Sequence, residues 1–302
     1  MGVLVSREWV YGDLARLSPI PVAGMSNPNL IQLMLSQLPP LHCGQVWLVG
    51  AGPGDPGLLT MYALAGLTQA DVVVHDALVS APILDLAAPN ARRVFAGERG
   101  GRASVDQADI IESLIGFAHQ GLRVLRLKGG DPYMFGRGGE EAIALAEHRV
   151  PFRVIPGITA GLGAMAAAFS PATLRGVNQA ILFATGHCVG DRTNCGLDWA
   201  AVAKLGQPIV LYMAVTRLAG IQRALIAGGM SPDMPAAVVH SATMRGQKVV
   251  VTTLQELNGN RLASILTPPA IVIIGRIVAM RSRLMALLPL VNEEVRLCPL
   301  RA

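Results

Sequence analysis

The stretch RVLRLKGGDPYMFGRGGEEAIALAEH, residues 123–148, decides the fold class. It begins with a mostly apolar run at 123–128, passes through a glycine-rich loop, and continues with helical spacing over 137–148. Strands that alternate with helices in this way are typical of an α/β fold built on parallel sheets. The stretch therefore predicts one strand–loop–helix unit, with a loop of unusual composition at the carboxyl end of its strand.

The same alternation recurs along the chain. Other helical patterns cover 58–70 and 105–120, and strands are predicted at 45–50, 71–76, 92–97, 123–128, 151–156, 180–185, 208–213, 236–241, 248–253 and 270–275. The connection from Ser241 to Lys248 is too short for a crossover helix and predicts an antiparallel pair. We therefore predict an α/β protein of two unequal α/β domains with mostly parallel sheets, whose ligands bind beyond the carboxyl ends of the strands.

The predicted domain boundaries follow from this pattern. We expect an N-terminal extension at 1–44, an N-terminal α/β domain at 45–157, a linker region at 158–178, a C-terminal α/β domain at 179–280 and a tail at 281–302. The extension is expected to be partly disordered. Residues 1–24 show no helical period and no targeting pattern, so we expect them to be disordered, or absent because translation starts at Met25. After Met25, apolar residues on one helical face predict a helix that ends at Pro39-Pro40; they are Leu30, Leu33, Met34 and Leu38.

Composition narrows the class of ligand. The chain has 302 residues, 25 of them basic and 20 acidic, for a net charge of +5. Most basic residues are arginines spaced singly, a side chain that suits fork-like recognition of carboxylates. This favours a polyanionic small molecule over nucleic acid as the ligand.

Other sequence features argue against a metal site and a membrane span. Four cysteines at no metal-ligand spacing predict no metal site. The charge-free stretch at 154–174 contains prolines and glycines, so we expect no membrane span. The N-terminal sequence is not a convincing signal peptide, so we expect a cytoplasmic protein.

Two loops carry the strongest local signals. GAGPGDPG at 50–57 lacks the third glycine of a dinucleotide motif and the lysine of a P-loop, and its prolines and glycines indicate backbone that approaches a ligand. In the loop of the first stretch, Arg137 and Glu140 lie three residues apart and share one helical face. A surface ion pair is the plainer interpretation of these two residues, and a binding role is the alternative.

Five motifs together resemble the tetrapyrrole methylase family. VGAGPGDPGLLT, VVVHDALVS, RLKGGDPYMFGRGGEE, VIPGITAG and FATGH occur in the family's order and spacing between about Gln45 and Val278. The resemblance implies two α/β domains with S-adenosylmethionine in the cleft between them, and a homodimer. It is most specific to the branch that methylates uroporphyrinogen III twice on carbon, through precorrin-1, to precorrin-2, for corrinoid or sirohaem-type synthesis.

The resemblance also implies roles for individual residues. The family's cofactor contacts fall on Pro53, Gly129, Gly130, Asp131, Met134, Thr159, Ala160, Met213 and Ala242. The substrate-side and catalytic positions fall on Arg137, Glu140 and Arg175, with Asp76 at the family's proton acceptor. Further carboxylate partners for an octacarboxylate substrate are Arg99, Arg102 and Arg217.

Three residues depart from the family pattern on the substrate side. Glu98 stands where the family has a lysine proton donor, Leu174 replaces a histidine, and Arg276 replaces a glutamate. These departures keep two alternatives open: a sister methylase acting on another precorrin, and a non-catalytic protein that binds S-adenosylmethionine or a tetrapyrrole. A nucleic-acid-binding protein is a third alternative that only the charge supports.

Overall fold

The chain divides into two compact units, residues 1–159 and residues 160–302. The structure is a computed structural model and describes residues 27–97, 106–186, 197–258, 262 and 267–287. Within these ranges, no helix combines the length and the apolar character needed to cross a lipid bilayer. The predicted disorder or absence of residues 1–24 lies outside the described residues.

The first unit is built on a five-stranded sheet in which every pair is parallel, in the order β3-β2-β4-β1-β5. Its strands are β1 (Val46–Gly50), β2 (Val72–His75), β3 (Arg92–Phe95), β4 (Val124–Lys128) and β5 (Phe152–Ile155). Its helices are α1 (Asn27–Ser36), α2 (Met61–Gln69), α3 (Ala81–Leu84), α4 (Gln107–His119) and α5 (Gly138–Glu147). The carboxyl ends of all five strands therefore meet at one edge of the sheet.

Both faces of this sheet are covered. Trp47 and Val49 of β1 join the core on one face, whereas Leu48 joins the core on the other face. Successive strand residues point to opposite faces, and a sheet with helices on both sides has apolar residues in both directions. Helices α2 and α4 begin at polar caps, since Thr60 and Asp106 accept hydrogen bonds from the first amides of the helices.

The amino ends of β2 and β4 are joined by an ion pair. Arg123 donates to Asp71 through Nε (3.0 Å) and Nη2 (2.7 Å), and its backbone amide also donates to this carboxylate. The side-chain hydrogen bond from Arg123 lowers the pKa of Asp71 below its usual 3.8. A carboxylate with a lowered pKa stabilises the folded state above its unfolded pKa, and this contribution disappears as the pH falls through the folded pKa.

We therefore expect Asp71→Asn to reduce the free energy of unfolding by about 0.5–1 kcal/mol near neutral pH, a modest amount because water screens the pair. The difference from the unsubstituted protein should shrink as the pH falls below 3.8. Urea unfolding at a series of pH values measures both effects. Asp85→Asn is the control, since Asp85 is exposed and makes one 3.2 Å contact with Arg93. Equal pH dependence in the two variants would contradict the prediction.

The second unit contains a mixed sheet in the order β6-β7-β10-β8-β9. β6 pairs with β7 in parallel, and the other three pairs are antiparallel. The strands are β6 (Leu182–Thr185), β7 (Ile209–Tyr212), β8 (Pro235–His240), β9 (Lys248–Thr253) and β10 (Ala270–Ile274). The helices are α6 (Ala160–Ala167), α7 (Trp199–Lys204) and α8 (Leu218–Ala227). Helices α7 and α8 cover one face of this sheet through residues such as Val202, Leu218 and Leu225.

The predicted fold class is confirmed. Every predicted strand is present within two residues of its predicted bounds, and the expected antiparallel pair is β8 with β9. Five of the eight strand pairs of the described residues are parallel, and the antiparallel ones are confined to the second unit. The helix predicted after Met25 is α1. The predicted boundaries of extension, linker and tail stay predictions.

Candidate functional site

The loops that follow β1 and β4 are joined by backbone hydrogen bonds. The amide of Ala51 donates to the carbonyl of Lys128 (2.8 Å), and Gly52 and Gly130 exchange two hydrogen bonds of 3.0 and 2.8 Å. Pro53, a predicted cofactor contact, is half-buried directly after this bridge. Two of the loops that the sequence singled out are therefore held side by side at one edge of the first sheet.

Glycine is required where the loop after β5 joins the other two. A Cβ atom on Gly50 would lie 2.6 Å from the carbonyl oxygen of Gly130 and 2.6 Å from the Cα atom of Gly157. A Cβ atom on Gly157 would overlap the same carbonyl oxygen. Three loop backbones are thus in direct contact, and side chains at these positions would force them apart.

Asp131 ties the loop after β4 to the loop after β5. Its Oδ1 atom accepts from the amide of Tyr133 (2.8 Å), and its Oδ2 atom accepts from the amide of Gly157 (3.0 Å). Met134 lies on the same loop and donates its amide to the carbonyl of Asp131. Asp131, which is predicted to contact the cofactor, therefore also holds the geometry of the loops.

Asp76 lies directly after β2 and faces the loop after β4. Its Oδ2 atom accepts from the amide of Gly129 (3.1 Å), and its Oδ1 atom accepts from the amide of Leu78 (2.9 Å). The side chain is half-buried. The predicted proton acceptor is thus fixed against one of the predicted cofactor-binding residues.

Arg137 and Glu140 form the surface ion pair that the sequence offered as the plainer interpretation. Arg137 Nη2 donates to Glu140 Oε2 (2.6 Å) and Nε donates to both carboxylate oxygens. Their side chains are 56 % and 54 % exposed, so both remain accessible to a ligand. The hydrogen bond between them lowers the pKa of Glu140 and raises that of Arg137. Arg137 has φ +58°, a left-handed conformation that is costly for a residue with a side chain.

A buried ionic network lies beside these loops and was not predicted from the sequence. Glu141 Oε1 accepts from Arg126 Nε (3.0 Å), Lys128 Nζ (3.0 Å) and Gln107 Nε2 (3.1 Å). All four residues are buried, and Glu141 is fully so. Burial, followed by the charge of Arg126, lowers the pKa of Lys128. Two basic residues at alternate positions of a central strand were a signal of buried charge on one strand face, but they did not identify its partner.

The four remaining predicted cofactor contacts lie in the second unit or at its boundary with the first. Met213 follows β7 with φ +50° and is 51 % exposed, and Ala242 follows β8 between Ser241 (φ +47°) and Thr243 (φ +64°). Non-glycine residues held in left-handed conformations cluster at ligand sites. Ala160 is the first residue of α6, and Thr159, the last residue of the first unit, is buried.

Arg175 is exposed on a turn that Asn178 organises. The side chain of Asn178 accepts from the amide of Leu174 (2.9 Å) and donates to the carbonyls of Ala172 (2.9 Å) and Ala180 (3.0 Å). Leu174, a departure from the family pattern, is half-buried in this turn.

The other departures and predicted carboxylate partners lie elsewhere. Arg276 is exposed just after β10, while Glu98, Arg99 and Arg102 lie outside the described residues.

A cavity of about 910 Å³ lies in the second unit at the carboxyl end of β6. Its lining includes Gly186, Asp198, Arg217 and Arg223. This volume suits an organic ligand. Among the described lining residues, Arg217 is a predicted carboxylate partner and none is a predicted cofactor contact. The described ranges contain no group of three or more His, Cys, Asp or Glu side chains that could hold a metal ion.

The order and geometry of these loops agree with a known family. The pattern that defines the Tetrapyrrole (Corrin/Porphyrin) Methylases matches residues 45–258, which is more than half of the chain. The chain belongs to the tetrapyrrole methylase family. This tetrapyrrole methylase is 51 % identical over 255 residues to a uroporphyrinogen-III C-methyltransferase of Sinorhizobium sp., a match that covers 84 % of this chain and 91 % of the relative.

Two further relatives define the extent of the similarity. A siroheme synthase of Klebsiella pneumoniae is 48 % identical over 80 % of this methylase, which spans about half (52 %) of that longer relative. The crystal structure of a uroporphyrin-III C-methyltransferase from Thermus thermophilus, complexed with S-adenyl homocysteine, superimposes with a TM-score of 0.67 at 35 % identity. That superposition covers 78 % of this methylase and 99 % of the Thermus chain.

Proposed function

We propose that this tetrapyrrole methylase transfers methyl groups from S-adenosylmethionine to carbon atoms of uroporphyrinogen III, twice, through precorrin-1 to precorrin-2. The observation that carries the proposal is the contact between Asp76 and the amide of Gly129. It brings the predicted proton acceptor against a predicted donor-binding loop, and the Sinorhizobium relative named for this activity is similar along 91 % of its length.

The residues of each unit fit the methyl donor. In the second unit, Met213 is apolar, exposed and held in a left-handed conformation, a combination that core packing does not explain. In the first unit, Gly129 is half-buried on the loop after β4, where its amide donates to Asp76 and Asp131 lies two residues further along. S-adenosylmethionine, when bound, supplies an electrophilic methyl group, so no nucleophilic side chain is needed. The task left to the protein is to orient the pyrrole carbon and to exclude water.

Two further tasks, removal of a proton and binding of the substrate carboxylates, would fall to Asp76 and to two arginines. A pyrrole ring that gains a methyl group on carbon must lose a proton, and Asp76 is a carboxylate held ready to accept it. Arg137 and Arg175 are exposed cations suited to the carboxylates of the substrate. Glu140 keeps the guanidinium of Arg137 in one orientation, through hydrogen bonds to both of its carboxylate oxygens.

We also propose an oligomeric state, a compartment and a pathway for this methylase. We expect a homodimer, because the resemblance to the family implies one, and we propose the cytoplasm as its compartment. The product would serve sirohaem synthesis, the route for which the Klebsiella relative is named, or corrinoid synthesis, which the resemblance to the family implies.

An anaerobic assay with labelled S-adenosylmethionine tests the activity. Incubation with uroporphyrinogen III should yield a product heavier by two methyl groups, with a singly methylated species at early times. Absence of any methylated product would overturn the proposal. Methylation of a later precorrin alone would support the sister methylase, and binding of S-adenosylhomocysteine without turnover would support the non-catalytic alternative.

We expect Arg137→Ala and Arg175→Ala each to weaken uroporphyrinogen III binding by roughly tenfold to a hundredfold, because each removes a charge-assisted contact. Calorimetric binding of S-adenosylhomocysteine should remain within about twofold of the original, since neither residue is assigned to the donor. Arg93→Ala is the matched control, because Arg93 is an exposed arginine paired with Asp85. Unchanged substrate affinity in both site variants would refute their assignment.

A further inference from the structure

The side chain of Tyr212 reaches from a strand of the second unit to the start of a helix. Tyr212 is the last residue of β7, and its hydroxyl oxygen accepts a hydrogen bond from the amide of Gly161 (2.8 Å), the second residue of α6. The first four amides of an α-helix have no acceptor inside the helix. Tyr212 therefore supplies an acceptor to the first turn of α6 from 51 residues further along the chain.

The contact between this hydroxyl and α6 is closely packed. Tyr212 is 7 % exposed, and its ring packs edge-on against Phe183 of β6, with 6.1 Å between the ring centroids. A Cβ atom on Gly161 would overlap the hydroxyl oxygen of Tyr212 and lie 2.9 Å from Cε1 of Phe183. Glycine is needed at position 161 because the tyrosine ring approaches the helix so closely. The position of the first turn of α6 is therefore tied to the position of this ring.

The backbone on both sides of Met213 is held as well. The carbonyl of Tyr212 accepts from the amide of Gly186 (2.7 Å), on the loop after β6. A Cβ atom on Gly186 would lie 2.5 Å from the Cα atom of Ala214, which is 1 % exposed. A left-handed conformation such as that of Met213, with φ +50°, persists in a residue with a side chain only when its surroundings fix it. Tyr212 and Ala214 provide those surroundings.

We infer that Tyr212 is a positioning residue for the methyl donor, which fixes Ala160 and Met213 relative to each other. Met213 directly follows Tyr212, and Ala160 directly precedes the glycine that donates to the tyrosine hydroxyl. One side-chain hydrogen bond thus joins the two stretches that carry these predicted donor contacts. The inference rests on the proposed function, since both residues are predicted contacts of S-adenosylmethionine. Tyr212 itself touches neither donor nor substrate in this scheme.

Binding of S-adenosylhomocysteine to Tyr212→Phe tests the inference without an assay of turnover. Phenylalanine keeps the ring beside Phe183 and removes only the hydroxyl, so the buried amide of Gly161 loses its acceptor and the first turn of α6 shifts. We expect calorimetry to show binding weakened by at least about tenfold. Tyr62→Phe is the matched control and should leave the affinity within about twofold. Tyr62 is a half-buried tyrosine that packs edge-on against Trp47 in the core of the first unit.

A role for Tyr212 in stability alone would lower the free energy of unfolding and leave the affinity of the folded protein unchanged. Binding to folded Tyr212→Phe within about twofold of the original would therefore overturn the inference. If Tyr212→Phe does not fold, Phe183→Leu takes its place, because it keeps the hydroxyl and removes the ring that packs against Tyr212. That variant should weaken binding by at least about threefold, and unchanged binding would again overturn the inference.

Steady-state kinetics separate the donor from the substrate. In Tyr212→Phe, we expect the KM for S-adenosylmethionine to rise about tenfold and the KM for uroporphyrinogen III to stay within about twofold. An equal rise in both KM values would contradict a specific effect on the donor. Failure of the unsubstituted protein to bind S-adenosylhomocysteine would overturn the proposed function together with this inference. Binding without turnover would contradict the proposed function alone, and the affinities of the variants would still decide on Tyr212.

Discussion

Glu141→Gln is expected to lower the free energy of unfolding by about 3–5 kcal/mol, the usual cost of removing one partner from a buried ion pair. Glu141 is fully buried and is the shared acceptor of Arg126, Lys128 and Gln107. Glutamine keeps the size of the side chain and one acceptor oxygen, but it leaves two buried cations with no carboxylate between them. In one orientation, the amide nitrogen of glutamine would stand in the place of Oε2, the oxygen of Glu141 that accepts no hydrogen bond.

Thermal and urea unfolding measure this loss, and at roughly 2–4 °C per kcal/mol the melting temperature should fall by about 10 °C. Hydrogen exchange of peptides from β4 and α5 should show the largest change in the first unit. Glu147→Gln is the matched control, because Glu147 lies on the same helix and is exposed. A loss no greater than that of the control would show that Glu141 does not hold the cluster together.

The position of this network could not be predicted from the local pattern. Glu140 and Glu141 are adjacent acids in the first turn of α5, and the sequence assigned a role only to the first. Which acid faces the sheet depends on the rotation of the helix about its axis, and this is set by packing against β4. Arg126 and Lys128 do share one strand face by their spacing, but their partner lies 15 and 13 residues further along the chain, on another element.

The strands were predictable because short apolar runs between glycine-rich turns have few other interpretations in an α/β chain. The order of the strands was not, because it depends on contacts between distant segments. The glycines of GAGPGDPG show the same limit. The sequence interpreted them as backbone that approaches a ligand, whereas the space beside Gly50 is filled by Gly130 and Gly157. At that position glycine is needed for packing between loops.

Gly157→Ala is expected to disrupt this packing, with a loss of about 3 kcal/mol in the free energy of unfolding. The added Cβ atom would overlap the carbonyl oxygen of Gly130 and lie 2.8 Å from the Cα atom of Gly50. Both are backbone atoms of neighbouring loops, so neither can rotate away as a side chain could. The loops after β1, β4 and β5 would have to separate, which would weaken the hydrogen bond from Gly157 to Asp131.

Because these loops carry predicted donor contacts, the same substitution should reduce the affinity for S-adenosylhomocysteine by at least about tenfold (~1.4 kcal/mol). Gly116→Ala is the control, since a Cβ atom at this position of α4 meets no atom within 4 Å. That substitution should stabilise the protein by up to about 1 kcal/mol, because alanine favours a helix over glycine. Calorimetry and urea unfolding of both variants measure these effects. Unchanged stability in Gly157→Ala would show that the three loops can move apart at little cost. Unchanged affinity in a destabilised Gly157→Ala would show that their close packing does not shape the donor site.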